Sequence, residues 1–298
     1  MGLRDILVCL DATEAGDGRL ELALNLAQAH KAYLTAVYAL PESGGADVGP
    51  VGLGLPPTVL GPVSPDGARA IGGEPSIAAP ARIPAAAERA DAVEQRFRAE
   101  LRLSRLEGEW HLLDRADLAE LIRLDQAADL AVLGQYPGND SEGATWLRPD
   151  DLMVEAGRPV LVVPYAASVE RVRRRVLVAW NGTREANRAL HDALPLLGGA
   201  EAVTVMHVGA EQADLDRDRP GLEHIVRHLG RHGVEVQAEE SLHPAISVCA
   251  ALLSRAAELD ADLIVAGAYH HSRWRESLLG GVSRDLLERM TVPLLMSH

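Results

Sequence analysis

Aromatic residues and cysteines are both scarce in this sequence. Aromatic side chains make up 3% of the 298 residues, against 47% for all hydrophobic residues, so the core must be built from leucine, valine, isoleucine and alanine. That composition is typical of buried parallel strands flanked by helices. Cys9 and Cys249 lie in apolar runs of different halves, and we interpret them as buried free thiols. A disulfide framework and a zinc ribbon are excluded by this count.

Lysine is almost absent, since Lys31 is the only one. The sequence also has no phosphate loop ending in Gly-Lys-Ser/Thr, no Gly-x-Ser-x-Gly nucleophile elbow and no cluster of catalytic carboxylates. A kinase or a nucleotide-hydrolysing enzyme usually places a lysine, or a pair of magnesium-binding carboxylates, beside the phosphates. These absences favour a protein that is not an enzyme.

Positive charge is in short supply, with 29 Lys and Arg residues against 43 Asp and Glu, which gives a net charge of −14. Such a surface repels nucleic acids and acidic lipids, so we predict neither as a partner. No apolar run reaches the ~18 residues of a membrane span, and residues 1–5 lead into a predicted strand without a signal peptide. We therefore expect a cytoplasmic location. A nucleotide is still compatible with this charge, because backbone N–H groups bind phosphate locally.

An internal repeat is the strongest pattern in the chain. Three segments of the first half match three of the second half, in the same order: residues 5–13 with 175–183, 128–134 with 261–267, and 158–163 with 292–297. Three ordered matches indicate a duplicated domain. We place the first copy at 1–165 and the second at 172–298.

Each half alternates short apolar strands with helical stretches. The predicted strands are 5–10, 32–39, 108–113, 129–133 and 159–163, then 174–180, 201–208, 233–238, 262–266 and 292–297; helices are predicted at 14–30, 184–197 and 245–259. The strands lack polar alternation, which indicates that both faces are buried. The predicted fold class is α/β, with two tandem Rossmann-like domains, each a five-stranded parallel sheet flanked by helices. Ligands bind such sheets beyond the carboxyl ends of the strands.

One segment, residues 41–84, breaks this pattern. It holds nine of the seventeen prolines and nine glycines, without a helical period. We interpret it as a loop insertion in the first domain, either a linker or a lid or docking segment. The second half has only a short acidic segment there, 209–221. Residues 165–173 are interpreted as the inter-domain linker.

A glycine-rich motif lies near the carboxyl terminus. The predicted fourth strand of the second half ends at Gly267-Ala-Tyr-His270, and after nine intervening residues comes Gly280-Gly281-Val-Ser283. The first strand of that half ends in Asn181-Gly-Thr183. This arrangement resembles the universal stress protein family, in which strand four ends in a glycine, a second glycine follows three residues on, and a third comes after nine intervening residues and precedes a small polar residue. The resemblance covers both halves outside 41–84.

The resemblance implies a fold of the adenine nucleotide alpha hydrolase type and a site for ATP, or a related adenine nucleotide, in the second half. In ATP-binding members this loop wraps the ribose and phosphates; glycine permits close approach of the backbone, and the amino terminus of the next helix favours an anion. Ser283 either caps that helix or bonds a phosphate. The implied cofactor-binding residues are Ala179, Asn181, Thr183, Gly267, His270, Gly280, Gly281, Val282 and Ser283.

Three of these residues depart from the family pattern. His270 stands at the second glycine, Gly281 replaces the usual Ser or Thr, and Asn181 replaces the usual Asp. If position 270 requires a positive φ, a histidine there costs about 1 kcal/mol. Its imidazole either blocks the space of a phosphate or donates a hydrogen bond to one. The alternative function is therefore an interaction module of the same fold that holds no nucleotide.

The first half departs further from the motif. No Gly-Gly pair opens its last helix, and four carboxylates follow Gly134: Asp140, Glu142, Asp150 and Asp151. We infer that this half keeps the fold and has lost the nucleotide site, which Asp11 alone would not restore.

Histidines also follow the predicted strands of the second half. His207, His243, His270 and His271 are predicted to project from one edge of the sheet, and three imidazoles there would suit zinc. Their spacing fits no standard motif, so we predict no metal and expect His271 to hydrogen-bond within its loop.

The function that these patterns favour is a non-enzymatic stress-response protein with one adenine-nucleotide site. The fusion would replace the homodimer of single-domain members by packing the last strands of both halves together, and a further homodimer stays open. A slow ATPase or zinc-dependent hydrolase is a third class, which a phosphate-release assay would detect.

Overall fold

The computed structural model describes residues 2–40, 82–114, 117–136, 149–165, 174–209, 211–242, 246–268 and 281–298. In the first half, the elements are β1 (Asp5–Leu10), α1 (Glu14–His30), β2 (Tyr33–Leu40), α2 (Arg82–Ser104), β3 (Gly108–Asp114), α3 (Leu118–Ala127), β4 (Leu130–Gly134), α4 (Pro149–Ala156) and β5 (Val160–Val163). In the second half they are β6 (Arg175–Ala179), α5 (Arg184–Leu197), β7 (Ala202–Gly209), α6 (Gln212–Arg231), β8 (Val236–Leu242), α7 (Val248–Glu258), β9 (Leu263–Gly267), α8 (Gly281–Arg289) and β10 (Leu294–Ser297).

All of these strands lie in one ten-stranded sheet, in the order β3-β2-β1-β4-β5-β10-β9-β6-β7-β8. Every neighbouring pair is parallel except β5 with β10, which is antiparallel and aligns Leu161 with Leu295. Each half thus contributes five parallel strands in the same internal order. The predicted fold class, an α/β protein with a mostly parallel sheet and flanking helices, is confirmed.

Helices α1 and α5 begin and end where the sequence predicts, and a threonine caps the start of each. The Thr13 Oγ1 accepts a hydrogen bond from the N–H of Gly16 (3.0 Å), and the Thr183 Oγ1 accepts one from Ala186 (3.2 Å). Both caps satisfy a backbone donor that the helix itself leaves unpaired. The repeat therefore extends to the detail of how its first helix starts.

One predicted strand is wrong in position. The third strand of the second half is β8, at Val236–Leu242 rather than 233–238. It is one of the two edge strands of the sheet and is half-exposed, so its sequence lacks the continuous apolar pattern of a buried strand. The short acidic segment 209–221 contains the start of α6, which begins at Gln212 with a capping box between Glu211 and Asp214. Acidic residues in a first turn favour this helix start.

The insertion predicted at 41–84 ends earlier than expected. Residues 82–84 belong to α2, which starts at Arg82. A proline at position 84 is compatible with this, because the first turn of a helix needs no N–H from it. Residues 41–81, and 166–173 of the predicted linker, lie outside the described residues.

Apolar side chains are buried on both faces of the sheet. One layer packs against α1, α2, α5 and α6, and its largest fully buried side chain is Phe97 in α2. The other packs against α3, α4, α7 and α8, and includes both cysteines. Cys9 and Cys249 are buried free thiols, as predicted, and burial raises the pKa of each. No helix within the described ranges is long and apolar enough to cross a membrane.

Candidate functional site

The carboxyl ends of β6 and β9 meet at the centre of the second half, where the strand order reverses. Ala179 of β6 lies beside Ala266 of β9 in the parallel register. The turn after β6 is held by Asn181, whose Oδ1 accepts hydrogen bonds from the N–H (3.3 Å) and hydroxyl (2.8 Å) of Thr183. Asn181 is exposed, and its side chain also carries an amide N–H₂ group, which is a hydrogen-bond donor. This is the edge at which doubly wound sheets bind ligands.

Gly267, the last residue of β9, lies on the other side of this edge, and the packing around it requires a glycine. A Cβ at Gly267 would lie 2.5 Å from the backbone N of Ala186 and 2.6 Å from the carbonyl carbon of Glu185. The amino terminus of α5 therefore rests directly on the end of β9. Close packing of helix on strand, and not only close approach of a phosphate, requires the absence of a side chain here.

Helix α8 opens at Gly281, as the motif predicts. Val282 is exposed and Ser283 is buried in the first turn. His270 and Gly280 lie outside the described residues, as do His243 and His271. The structure thus describes Ala179, Asn181, Thr183 and Gly267 around one edge, and Gly281, Val282 and Ser283 at the start of the following helix.

The same edge in the first half is occupied by an arginine. Arg19 of α1 is 3% exposed, forms an ion pair with Asp11, and donates from Nε to the carbonyl oxygen of Cys9 (3.0 Å). A Cβ at Gly134 would lie 2.9 Å from its Cζ. In the repeat, Cys9, Asp11 and Gly134 correspond to Ala179, Asn181 and Gly267. Arg19 therefore contacts the counterparts of three predicted nucleotide-binding residues.

Ala189 is the counterpart of Arg19 in the second half, because Thr13 corresponds to Thr183 and both helices run without interruption. It is fully buried in α5 and has only a methyl group. The second half thus lacks both members of the buried pair, with Asn181 for Asp11 and Ala189 for Arg19. This difference was missed at the sequence level, although a charged residue next to Leu20 on a helix with a predicted apolar face was a signal of it.

A cleft of about 370 Å³ lies on the outer side of the second-half turn. Its lining residues are Trp180, Gly182, Asn187, Arg217, Asp218, Gly221 and Ile225. The indole of Trp180 donates from Nε1 to Asn187 Oδ1 (2.9 Å), and its ring meets that of His207 edge-on at 6.0 Å. None of these side chains was singled out from the sequence except His207.

His207 is buried within β7, with its Nε2 3.5 Å from Asp218. Burial lowers its pKa, against the opposing effect of the Asp218 carboxylate. The neutral imidazole is therefore favoured near neutral pH. Within the described ranges no three His, Cys, Asp or Glu side chains form a ready-made metal site, and whether His207 converges with His243 and His270 stays a prediction.

Residues 173–298 match the model of the universal stress protein family. A universal stress protein domain therefore occupies the second half of the chain, and this finding agrees with the glycine-rich motif and the turn at Asn181. The matched residues do not extend into the first half. No curated protein sequence gives a significant match.

Solved structures match the whole chain in fold. A universal stress protein from Archaeoglobus fulgidus DSM 4304 is 17% identical, with a TM-score of 0.66 over 98% of this chain and 97% of that one. A functionally unknown protein from Pseudomonas aeruginosa PAO1 is 16% identical, with a TM-score of 0.59 over 99% of this chain and 92% of that one. At these identities the likeness concerns the fold alone, and it extends over both halves.

A shorter match is the universal stress protein from Archaeoglobus fulgidus in complex with dAMP, which is 21% identical and covers 41% of this chain and 94% of that one. Its TM-score of 0.32 is too low to carry an argument about the present site.

Proposed function

We propose that the chain is a non-enzymatic stress-response protein of the universal stress protein type, which binds ATP or a related adenine nucleotide in its second half. The observation that carries this proposal is the asymmetry of the two sheet edges. In the first half a buried Arg19–Asp11 ion pair fills the edge, whereas the second half has Ala189 and Asn181 at those positions and is the half that matches the family model.

The second-half residues offer groups suited to a nucleotide. The amide N–H₂ of Asn181 is a donor for a base or ribose oxygen. The first turn of α8, opened by Gly281, presents unpaired backbone N–H groups and the positive end of the helix dipole to a phosphate. No lysine is present beyond Lys31 in the first half, so a phosphate would be held without the usual cation for its transfer. Binding without turnover is the behaviour that this set of groups favours.

We also propose that the two halves form an intramolecular counterpart of a homodimer. Support comes from the antiparallel pairing of β5 with β10. Hydrogen bonds also join the halves, because Gln135 Nε2 donates to the carbonyl oxygen of Leu287 (2.8 Å) and Arg188 Nη2 donates to that of Gly157 (3.3 Å). The first half then serves as a permanent structural partner for the half that binds the ligand.

Mass spectrometry of the purified chain, for retained nucleotide, and calorimetric titration with ATP test the binding. The sharpest variant is the double substitution Ala189→Arg with Asn181→Asp, which reproduces the first-half pair in the second half. We expect it to abolish ATP binding, with circular dichroism checking that the fold is kept. The matched control, Arg19→Ala with Asp11→Asn, empties the first-half edge and should leave the single ATP site unchanged.

ATP binding that survives Ala189→Arg with Asn181→Asp in a folded protein would place the nucleotide elsewhere and refute the proposal. Absence of any ATP binding by the wild type would favour the nucleotide-free interaction module. Phosphate release from ATP in a steady-state assay would contradict the non-enzymatic assignment.

His270 gives a second test of the same site. If its imidazole blocks the nucleotide, His270→Gly should raise ATP affinity with little dependence on pH, and this is the result that we expect from a position that is glycine in the family motif. If the imidazole bonds a phosphate, the same variant should bind more weakly, and wild-type affinity should rise as pH falls through about 6.5. Equal affinities would show that the side chain points away from the ligand.

A further inference from the structure

Gln135 is a first-half residue whose side chain ends on a helix of the second half. It directly follows β4 and is 7% exposed. Its Nε2 donates to the carbonyl oxygens of Leu287 (2.8 Å) and Glu288 (3.2 Å), which lie in the last turn of α8. The final carbonyl groups of an α-helix have no partner within the helix. Gln135 therefore caps α8 from the opposite half of the chain.

The orientation of the Gln135 amide is determined by the groups around it. Carbonyl oxygens only accept hydrogen bonds, so the part of the amide that faces α8 has to be its N–H₂ group. The Oε1 accepts a hydrogen bond from the backbone N–H of Tyr165 (3.4 Å), and the backbone N–H of Gln135 donates to the carbonyl oxygen of Val163 (2.8 Å). Gln135 thus joins the end of the first half to the end of α8.

The repeat does not return this contact from the second half. Gly134 corresponds to Gly267, so the counterpart of Gln135 is Ala268. Ala268 is fully buried and repeats the backbone bond, since its N–H donates to the carbonyl oxygen of Ser297 (2.8 Å). Its methyl group has no donor with which to cap a helix of the first half. The half for which we propose a nucleotide site is therefore the one whose last helix receives this cap.

Helix α8 is short enough for its two ends to depend on each other. Its nine residues span roughly 13 Å. The first turn, opened by Gly281, is the phosphate-binding turn of the proposed site, and Leu286 anchors the middle of the helix in the apolar layer. Backbone N–H groups bind an anion well only where they point at it. A shift of the last turn therefore changes how the first turn meets a phosphate.

We propose that Gln135 is a positioning residue for the nucleotide site, because its cap on the last turn of α8 holds the first turn of that helix in place for the phosphates. This role rests on the proposed function, since it concerns the same site. The first half then sets the nucleotide affinity of the second half through one side chain. Coupling between two contacts is reciprocal, so bound nucleotide in turn strengthens the contact between the halves.

Calorimetric titration with ATP of the full chain and two variants tests the proposal. Gln135→Ala removes the cap and should weaken ATP binding by about three- to tenfold at about pH 8. Gln135→Glu keeps the shape but presents a carboxylate to two carbonyl oxygens at the negative end of the helix dipole, so it should bind more weakly still.

The glutamate variant also provides a readout that loss of packing would not move. Protonation gives its carboxyl group an O–H that donates to a carbonyl of α8, and the carbonyl oxygens favour that protonated form. The affinity of Gln135→Glu relative to the wild type should therefore recover towards one as pH falls from about 8 to about 5.5. The relative affinity of Gln135→Ala should stay constant. This comparison within one variant also serves if Gln135→Ala does not fold.

Arg188→Ala is the matched control. It removes the other hydrogen bond that joins the halves, which ends on the carbonyl oxygen of Gly157 (3.3 Å), directly after α4. We expect it to bind ATP as the wild type does at about 0.15 M salt, which screens exposed charges. Amide hydrogen exchange of the nucleotide-free proteins checks the cap itself: residues 285–289 should exchange faster in Gln135→Ala than in the wild type, and residues of α5 should not.

The outcomes separate this role from the proposed function. If the wild type binds ATP and both Gln135 variants bind it equally well, the positioning role is wrong and the nucleotide site stands. The role is also overturned if Gln135→Glu does not recover at low pH, if Arg188→Ala weakens binding as much as Gln135→Ala, or if exchange at 285–289 is unchanged. A wild type that binds no ATP refutes the proposed function, and the positioning role with it.

Discussion

The guanidinium of Arg19 and the carboxylate of Asp11 form an ion pair that is almost completely buried at the carboxyl end of β1. Removal of one partner leaves the other charged in the protein interior, which costs roughly 3–5 kcal/mol. We expect Arg19→Ala to lower the free energy of unfolding by about that amount, as measured by urea denaturation.

The double variant Arg19→Ala with Asp11→Asn should be less destabilised than Arg19→Ala alone, because it leaves no unpaired buried charge. An additive or larger loss would show that packing of the arginine, and not its charge, matters at this edge.

Gly267 and Gly281 both belong to the glycine motif, but we expect them to respond differently to a methyl group. A Cβ at Gly267 would overlap the backbone of Ala186, whereas one at Gly281 meets nothing within 4 Å. Gly267→Ala should therefore destabilise the protein by about 1–3 kcal/mol, and Gly281→Ala should be neutral or slightly stabilising because alanine favours a helix. Thermal unfolding of both variants checks this, and equal melting temperatures would rule out the close packing of α5 on β9.

Asp125 on α3 should make stability depend on pH. It is fully buried, neither carboxylate oxygen has a hydrogen-bond partner, and burial raises its pKa to about 7 from an ordinary value of 3.8, against the lowering effect of Arg158. The folded state then binds more protons than the unfolded state between these values, so stability falls as pH rises from about 4 to about 7. The loss is at most about 4 kcal/mol.

Asp125→Asn removes the titrating group and keeps its shape. We expect the variant to be more stable than the wild type at pH 8 and to show a flatter pH profile across that window, measured by urea denaturation at several pH values. If the stability of Asp125→Asn depends on pH in the same way as that of the wild type, Asp125 is not the group that titrates.

Thr13 and Thr183 provide a matched pair of helix caps. Each hydroxyl accepts a hydrogen bond from the third residue after it, so Thr13→Ala and Thr183→Ala should each cost about 1 kcal/mol. Only Thr183→Ala should also weaken ATP binding, since it belongs to the proposed nucleotide edge. A similar effect of both on ATP affinity would indicate a general loss of stability instead of a local contribution.

Sequence patterns predicted the parts of this fold that depend on continuous apolar runs and on apolar residues at helical spacing. Strands such as β1 and β4 are buried on both faces and read as unbroken hydrophobic segments, and the predicted helices 14–30 and 184–197 match α1 and α5 to the residue. Strand β8 was misplaced because an edge strand is partly solvated and carries Glu239 and Glu240 within it.

Of the candidate site, the sequence predicted only the positions of individual motif residues. Asn181, Thr183 and Gly267 lie at one sheet edge as the repeat and the strand order require. The role of Arg19 depends on how α1 lies against β1 and β4, which is a tertiary contact that strand and helix periodicity do not specify.

The covalent joining of the two halves has a consequence for how each half is able to change. In a homodimer, both subunits have the same sequence. An arginine at the sheet edge would therefore fill that edge in both subunits at once. In this chain, β5 and β10 keep the halves together whatever side chains stand at their edges, and Arg19 fills one edge while Ala189 leaves the other without a charged side chain. Under the proposed function, the duplication therefore separates two demands, because one copy holds its partner in place while the other is left to bind the ligand.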